Sequence, residues 1–302
     1  MSARAPRARG AALVAAGLAT AALLGGGACG GAAGPRDEPP AAGGSTLRAT
    51  WIDPGGDGFL QRGRGRPMVQ RTELGPRAPA TGELARLAVF TDVHVRDEES
   101  PARPAVLDRA GGRFRSTFRP QEALSPQVFD AAVRAVDAER PGAALLLGDL
   151  IDNAQANELD QALAVLRGGR VRPDSGAPGY EGVQRADDPD PLFYRPDVDA
   201  PRHPGLVDAA QHPFRAAGLT APWYATLGNH DALVQGEFAR TARTEAMAVG
   251  DRRLVALEPA LRRRLRGRSV TSRRIDRVLA GGLPGRTTRV SPDPGRRQLD
   301  AG

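Results

Sequence analysis

The chain has 302 residues, of which 42 are basic and 35 acidic, so its formal net charge is +7. Gly contributes 37 residues, Pro 26 and the aromatic types only 4%, a composition that excludes collagen, a coiled coil and a multi-span membrane protein. All 42 basic residues are Arg. Such an Arg-only set, in a chain rich in Ala, Gly and Pro, is typical of a GC-rich genome. The charge therefore does not predict a specific nucleic-acid partner.

Residues 1–29 have the pattern of an export signal. Three Arg precede an uncharged apolar run at 11–24, and small residues follow it up to Cys29. A run of this length is too short to span a hydrocarbon core of ~30 Å comfortably, and it matches the central region of a signal peptide. The sequence therefore predicts an exported protein.

Cys29 is the only cysteine, so no disulfide can form within the chain. Its position after small residues predicts a lipid attachment site, which would hold the protein at a membrane surface. Bacterial lipoprotein signals usually carry Leu three positions before this Cys, and here that residue is Gly26. Plain secretion to the extracellular space and retention by an uncleaved N-terminal anchor stay open as alternatives.

The rest of the chain alternates predicted strands and helices. Residues 30–85 are predicted to be a linker and an N-terminal extension, and residues 86–236 to be the core domain. Within that core, the patterns of apolar residues and turn residues predict three short strands, at 87–91, 143–147 and 223–227, and two helices, at 125–139 and 157–166. The alternation predicts an α/β fold with a largely parallel sheet. Residues 237–302 are predicted to be an Arg-rich helical segment, with helices near 252–266 and 272–280.

Each predicted strand ends at residues that can bind metal. Asp92 and His94 follow the first strand, Asp149 follows the second, and Asn229 and His230 follow the third. Because ligands bind at the carboxyl ends of parallel strands, we expect these side chains to share one crevice. Carboxylate, imidazole and amide ligands suit Mn, Fe or Zn. A carboxylate such as Asp149 can bridge two ions ~3.5–4 Å apart, as two-metal hydrolysis requires.

Three blocks, DVH, GDLIDN and GNHD, occur in this order at the three strand ends. Because of these blocks, residues 87–236 resemble the calcineurin-like metallophosphoesterase superfamily. The sequence around the blocks resembles a secreted actinobacterial branch of it. The resemblance implies a double β-sandwich flanked by helices. It also implies two divalent metal ions and hydrolysis of a phosphomonoester or phosphodiester substrate.

The resemblance also implies a role for each matching residue. Asp92 and His94 match ligands of the first ion, and Asp149 matches the bridging carboxylate. Asn229 matches a ligand of the second ion. The remaining matches are His230 as the group that protonates the leaving oxygen, Asp231 as the residue that orients this imidazole, and Asn153 as a support behind the ligands.

The sequence departs from the superfamily in its histidines. The chain has four, at 94, 203, 212 and 230, whereas the superfamily has further metal histidines after its third block. A fold incomplete at its C-terminus, from a truncated gene product, is one interpretation. A pseudoenzyme is another, and the third is that His203 or His212 replaces the missing ligands. The alternative function is accordingly that of an impaired fragment or a non-catalytic surface lipoprotein.

The loop at 95–124 carries six Arg directly after the first metal block. One or two of them are candidates to bind a substrate phosphate. Solvated surface charge is the alternative for most of them. The Arg at issue are Arg96, Arg103, Arg109, Arg113, Arg115 and Arg119.

Overall fold

The computed structural model describes residues 46, 49–67, 72–73, 75–76, 82–110, 117–188, 192–265 and 271–300. Cys29 and the predicted export signal lie outside these residues, as do Arg113 and Arg115. Among the helices that are described, none has both the length and the apolar character needed to cross a bilayer.

The described residues form a mixed α/β structure of short strands and helices. The strands are β1 (Ala49–Ile52), β2 (Gln61–Arg64), β3 (Leu87–Phe90), β4 (Ala143–Leu147), β5 (Gly169–Val171), β6 (Phe214–Ala216), β7 (Trp223–Thr226), β8 (Arg252–Leu257) and β9 (Gly285–Arg289). The α-helices are α1 (Ser125–Ala138), α2 (Ala156–Arg167), α3 (Leu206–Gln211), α4 (Asn229–Ala232), α5 (Ala242–Ala248), α6 (Pro259–Leu265) and α7 (Ser272–Leu279). Short 3-10 helices lie at Ala105–Ala110, Pro120–Leu124 and Pro294–Arg296.

The three strands predicted from sequence form one parallel sheet in the order β3-β4-β7. Its central strand is β4, in which Leu145 pairs with Val89 on one side and with Tyr224 on the other. The other sheets in the described residues are antiparallel pairs, β1-β2, β5-β6 and β8-β9. The parallel core is therefore confirmed, and it brings the ends of the three strands to one edge.

Helices α1 and α2 cover one face of this sheet. Phe129 of α1 meets Phe90 of β3 edge to face, with ring centroids 5.8 Å apart, and the same core includes Leu146 of β4 and Leu166 of α2. The strand order advances in one direction, and crossovers between parallel strands are right-handed. Both crossover helices therefore pack on the same side of the sheet.

The opposite face of the sheet is apolar and exposed. Leu87, Val89, Leu147 and Tyr224 lie on it, each more than half exposed. Parallel sheets are normally covered on both faces. An exposed face of this kind favours association with another apolar surface.

Replacing Val89 and Tyr224 together with Thr should reduce self-association of the purified protein, because the substitution removes apolar area while keeping a residue type that strands prefer. Light scattering at increasing protein concentration measures the effect. Trp51→Thr, an exposed apolar position on the separate β1-β2 sheet, is the matched control. Equal scattering by the double variant and the wild type would contradict the prediction.

Residues 95–106, which follow the DVH block, are buried rather than exposed. Arg96 pairs with Asp152 and Glu122, and Arg103 pairs with Glu98. Both guanidinium groups are almost completely shielded from solvent, so neither is available to a substrate phosphate. The prediction was wrong for these two Arg because sequence alone did not show that both would pair with Glu122 of the 3-10 helix that follows. Arg119 is half exposed and pairs with Glu122 at 3.3 Å.

Residues 237–300 are less helical than predicted. Helices α6 and α7 lie where helices were expected, but residues 252–257 form β8, which pairs with β9. The chain then returns to the core domain. Leu299 N donates to Ala154 O, Gln298 bridges to Gln155, and the buried Arg296 pairs with Asp97 at 3.1 Å. Residues 290–300 are therefore part of the packed core.

Candidate metal centre

Backbone hydrogen bonds align the first two sequence blocks, DVH and GDLIDN. Beyond the ends of β3 and β4, His94 N donates to Asp149 O at 2.9 Å and Val95 N donates to Leu150 O at 2.9 Å. Parallel pairing resumes at Val95 and Ile151. The two blocks are thus held side by side by the sheet that precedes them.

Three candidate ligands have a left-handed backbone. The φ angles are 54° at Asp92, 50° at His94 and 51° at Asp149. Positive φ is unfavourable for residues with a side chain, and such strain persists mainly where the surrounding structure enforces it, often at functional sites. Here it lets the chain turn sharply at the two strand ends while the carboxylates and the imidazole stay together.

The second and third blocks approach so closely that both begin with Gly. A Cβ on Gly148, whose φ is 89°, would lie 2.8 Å from Gly228 Cα. A Cβ on Gly228 would lie 2.4 Å from Asp149 N. Neither position has room for a side chain, so the spacing of the two blocks in space depends on both glycines.

Asp92, His94 and Asp149 form a group that fits one metal ion. His94 Nε2 lies 3.8 Å from Asp92 Oδ1 and 4.0 Å from Asp149 Oδ2. Ligands bound ~2.1 Å from a zinc-type ion lie roughly 3–4 Å apart. Two carboxylates and one imidazole are a donor set for Mn, Fe or Zn. The exposed Asp92 side chain places the group at the surface, where water and substrate have access.

Asp152 lies between two imidazoles. Its Oδ1 is 3.1 Å from His94 Nδ1 and 3.0 Å from His230 Nδ1, and the two rings meet edge to face with centroids 4.3 Å apart. When the carboxylate is ionised, each ring donates its Nδ1–H to it. This fixes the tautomer and leaves Nε2 of His94 free as a metal ligand, as in carboxylate–histidine–metal arrangements.

The surroundings of Asp152 favour its charged form. Burial opposes ionisation, but the charge of Arg96 and the hydrogen bonds from His230 and His94 outweigh it, so the pKa of Asp152 lies far below its usual range. For His230, burial favours the neutral ring, yet Asp152 and Asp149 raise its pKa above the ordinary value. The carboxylate therefore orients both imidazoles and keeps His230 protonated to higher pH.

The third block packs against the second. His230 N donates to Asp149 Oδ1 at 2.8 Å. Asp231, expected to orient His230, accepts instead from Gly228 N at 2.8 Å and from Ile151 N at 3.0 Å. Asp152 fills the orienting role, and Asp231 joins the start of α4 to the second block. The spacing of residues within the third block could not predict this contact, because Asp152 follows β4 and His230 follows β7.

Asn153 supports the second block from behind. It is fully buried, and both its backbone N and its Nδ2 donate to the Glu158 carboxylate, at 2.8 and 2.9 Å. Sequence reasoning missed Glu158 and gave Asp152 no role, although Asp152 belongs to the GDLIDN block. The signal in the sequence was that Asp152 is an acidic residue within the same block as the candidate ligand Asp149.

The described residues supply fewer ligands for a second ion. Their potential metal-binding groups are Asp92-His94-Asp149 and His94-Asp152-His230. His203 and His212 are exposed and belong to neither group. Asn229, expected to bind the second ion, donates its Nδ2 to Gly236 O at 3.4 Å, which leaves its Oδ1 as the ligand atom. Among the described His and acidic side chains, Asp92, His94 and Asp149 form the group that includes an exposed ligand.

Comparison of the chain with protein-family models, with curated proteins and with solved structures gave no significant match.

Proposed function

We propose that the chain is a metal-dependent phosphoester hydrolase of the calcineurin-like type. The observation that carries the proposal is the convergence of Asp92, His94 and Asp149 at the ends of two neighbouring parallel strands, with His230 arriving from the third. The order of the three sequence blocks supports the same assignment. The substrate class is a phosphate monoester or diester.

These residues have different roles in the proposed reaction. Asp92, His94 and Asp149 would hold a divalent ion of the Mn, Fe or Zn type. Such an ion, when bound, acidifies a water and stabilises negative charge on phosphoryl oxygens. His230 carries the proton for the departing alkoxide, and Asp152 keeps that ring charged and oriented.

We also propose that the parallel sheet is one layer of a double β-sandwich. Its exposed apolar face, which includes Val89 and Tyr224, is suited to packing against a second sheet, since the inner faces of a sandwich are apolar. A two-metal form of the mechanism, which the resemblance implies, would go beyond the single ion that Asp92, His94 and Asp149 would hold. Further ligands besides Asp149 and Asn229 would be required to hold the second ion.

The alternative is a non-catalytic metal-binding protein at the cell surface. The observation that favours it is the one-ion ligand set, because a single ion does not clamp both the attacking and the leaving oxygen. Under this alternative the protein would bind its ion without turnover.

Metal content and turnover separate the two functions. We expect about one equivalent of Mn²⁺ or Zn²⁺ per chain and slow, chelator-sensitive hydrolysis of an aryl phosphate, well below that of a two-metal enzyme. His230→Gln should lower this rate at least about a hundredfold, because general acid catalysis contributes roughly 10²–10⁴-fold. His212→Gln, at an exposed His outside both groups, is the control. A metal-loaded protein with no turnover would establish the alternative.

We further propose export and lipid attachment at Cys29. Cys29→Ser should move the protein from the membrane fraction to the soluble secreted fraction, because the apolar run at 11–24 is too short for a comfortable span. Fractionation followed by immunoblotting measures the shift. Unchanged membrane retention would favour an uncleaved N-terminal anchor instead.

A further inference from the structure

A polar cavity lies beside the antiparallel β8-β9 pair. Its volume is about 200 Å³, and its lining includes Arg185, Arg253, Arg286, Thr288 and Asp188. None of the candidate metal ligands contributes to it. Arg253 and Thr288 are directly opposite in the antiparallel pair, and Thr287, the neighbour of Thr288, also lines the cavity.

Arg253 is an unusual residue for such a position. Its side chain is only 4% exposed. It donates from one terminal nitrogen to Glu181 O, and within the described part of the chain its Nε has no hydrogen-bond partner. Burial lowers the pKa of the Arg253 guanidinium. A buried guanidinium nitrogen without an acceptor is costly, so the site favours a ligand that supplies one.

The other charges of the cavity do not satisfy Arg253. Arg185 forms a two-point ion pair with Asp187, at 2.9 and 2.8 Å, so these two charges compensate each other. Asp188 attracts both Arg253 and Arg286. Glu98 and Glu99 also attract Arg253, from outside the cavity lining, yet among the described residues the Arg253 Nε still has no hydrogen-bond partner. Within the lining, Arg253 and Arg286 together with Asp188 leave a net positive charge in a polar space that is partly open to solvent.

We infer that this cavity is a binding site for a small oxyanion of the phosphate or sulfate class, held by Arg253 and Arg286 with the Thr288 hydroxyl as a further donor. Guanidinium groups match the geometry of such anions and bind them through charge-assisted hydrogen bonds. A volume of about 200 Å³ is sufficient for one phosphate group. The inference does not rest on the proposed hydrolase function.

Inorganic phosphate is the probe, with calorimetric titration and the thermal unfolding midpoint as readouts. Measurements are made on chelator-treated protein and on Asp149→Asn, so that phosphate at the metal centre does not contribute. We expect binding in both samples, and a midpoint that rises with phosphate but not with equal ionic strength of chloride. Absence of phosphate binding in both the chelator-treated protein and Asp149→Asn would overturn the inference.

Arg286→Ala should raise the dissociation constant of phosphate about tenfold or more, because one charge-assisted contact is lost. This side chain is exposed, so the variant is expected to fold. Arg253→Met should abolish the effect of phosphate on the unfolding midpoint. Arg289→Ala, an exposed Arg on β9 outside the cavity lining, is the matched control and should bind as the wild type does. Unchanged affinity in Arg286→Ala would overturn the assignment even if Arg253→Met fails to fold.

Vesicles distinguish a free anion from a lipid headgroup. Phosphatidylglycerol and phosphatidylcholine vesicles are compared by flotation, using wild type and Arg286→Ala. We expect no vesicle binding that depends on Arg286, because its partner in the site, Arg253, is almost fully buried and out of reach of a bilayer surface. Arg286-dependent vesicle binding without any effect of inorganic phosphate would overturn the assignment to a free anion.

Discussion

Asp149→Ala is expected to abolish binding of the divalent ion. The Asp149 carboxylate is one of the three groups that meet around the candidate site, and sites of this kind need about three protein ligands to hold an ion while leaving a position for water. Its loss leaves Asp92 and His94 alone, so the affinity for Mn²⁺ or Zn²⁺ should fall by at least about a hundredfold. Elemental analysis after gel filtration and titration calorimetry measure the loss.

Asp149→Asn separates loss of a ligand from loss of fold. Asn tolerates the positive φ that Asp149 adopts, and its amide oxygen can still accept the hydrogen bond from His230 N. This variant should therefore fold as the wild type does while binding metal much more weakly. Asp160→Asn, an exposed position on α2, controls for the loss of one negative charge. Equal metal content in Asp149→Ala and wild type would remove Asp149 from the site.

Glu158→Ala should destabilise the protein by about 3–5 kcal/mol, because a buried acceptor with several donors is among the costliest groups to remove. The carboxylate is fully buried and accepts from Asn153 N, Asn153 Nδ2 and Asp97 N at 2.8, 2.9 and 3.0 Å. Urea unfolding measures the change in the free energy of unfolding. The same loss at exposed Glu139→Ala, or no loss at Glu158→Ala, would contradict the role assigned to this carboxylate.

Glu158 also predicts a pH dependence of stability. Burial and the nearby charge of Asp152 raise its pKa from 4.5 to about 7. Between these values the folded chain binds more protons than the unfolded chain, so the contribution is fully present below pH 4.5 and is lost as pH rises through about 7. Stability should therefore fall across this window. Glu158→Gln should show a smaller fall, and an unchanged slope would contradict the shift.

The sequence was most informative where local pattern and chemistry coincide. Apolar runs bounded by Gly and Pro predicted the strands that are observed as β3, β4 and β7, and the spacing of Val and Ala predicted α1. Because the carboxyl ends of parallel strands share one edge, the meeting of Asp92, His94 and Asp149 followed from the order of the blocks. These expectations depend on short-range periodicity and on one rule of sheet topology.

Other features depend on contacts between distant residues. The loop at 95–124 was expected to expose Arg, yet Arg96 and Arg103 are buried against acidic partners. A strand replaced the predicted helix at 252–257, because its pairing with β9, nearly thirty residues further along, outweighs local helix preference. A prediction from neighbouring residues could not include this strand pairing, because the two strands are far apart in the sequence.

The sequence by itself determined the three strands, the order of the metal blocks and the ligand types at their ends, since each follows from residues close together in the chain. Only the tertiary structure decided that Asp152 rather than Asp231 orients His230 and that Arg296 closes a buried ion pair with Asp97. It also decided that Arg253 lines a cavity in which its Nε has no hydrogen-bond partner among the described residues. The physical reason is that a charged side chain derives its role from its burial and its nearest opposite charge. Both are set by elements that are far apart in sequence.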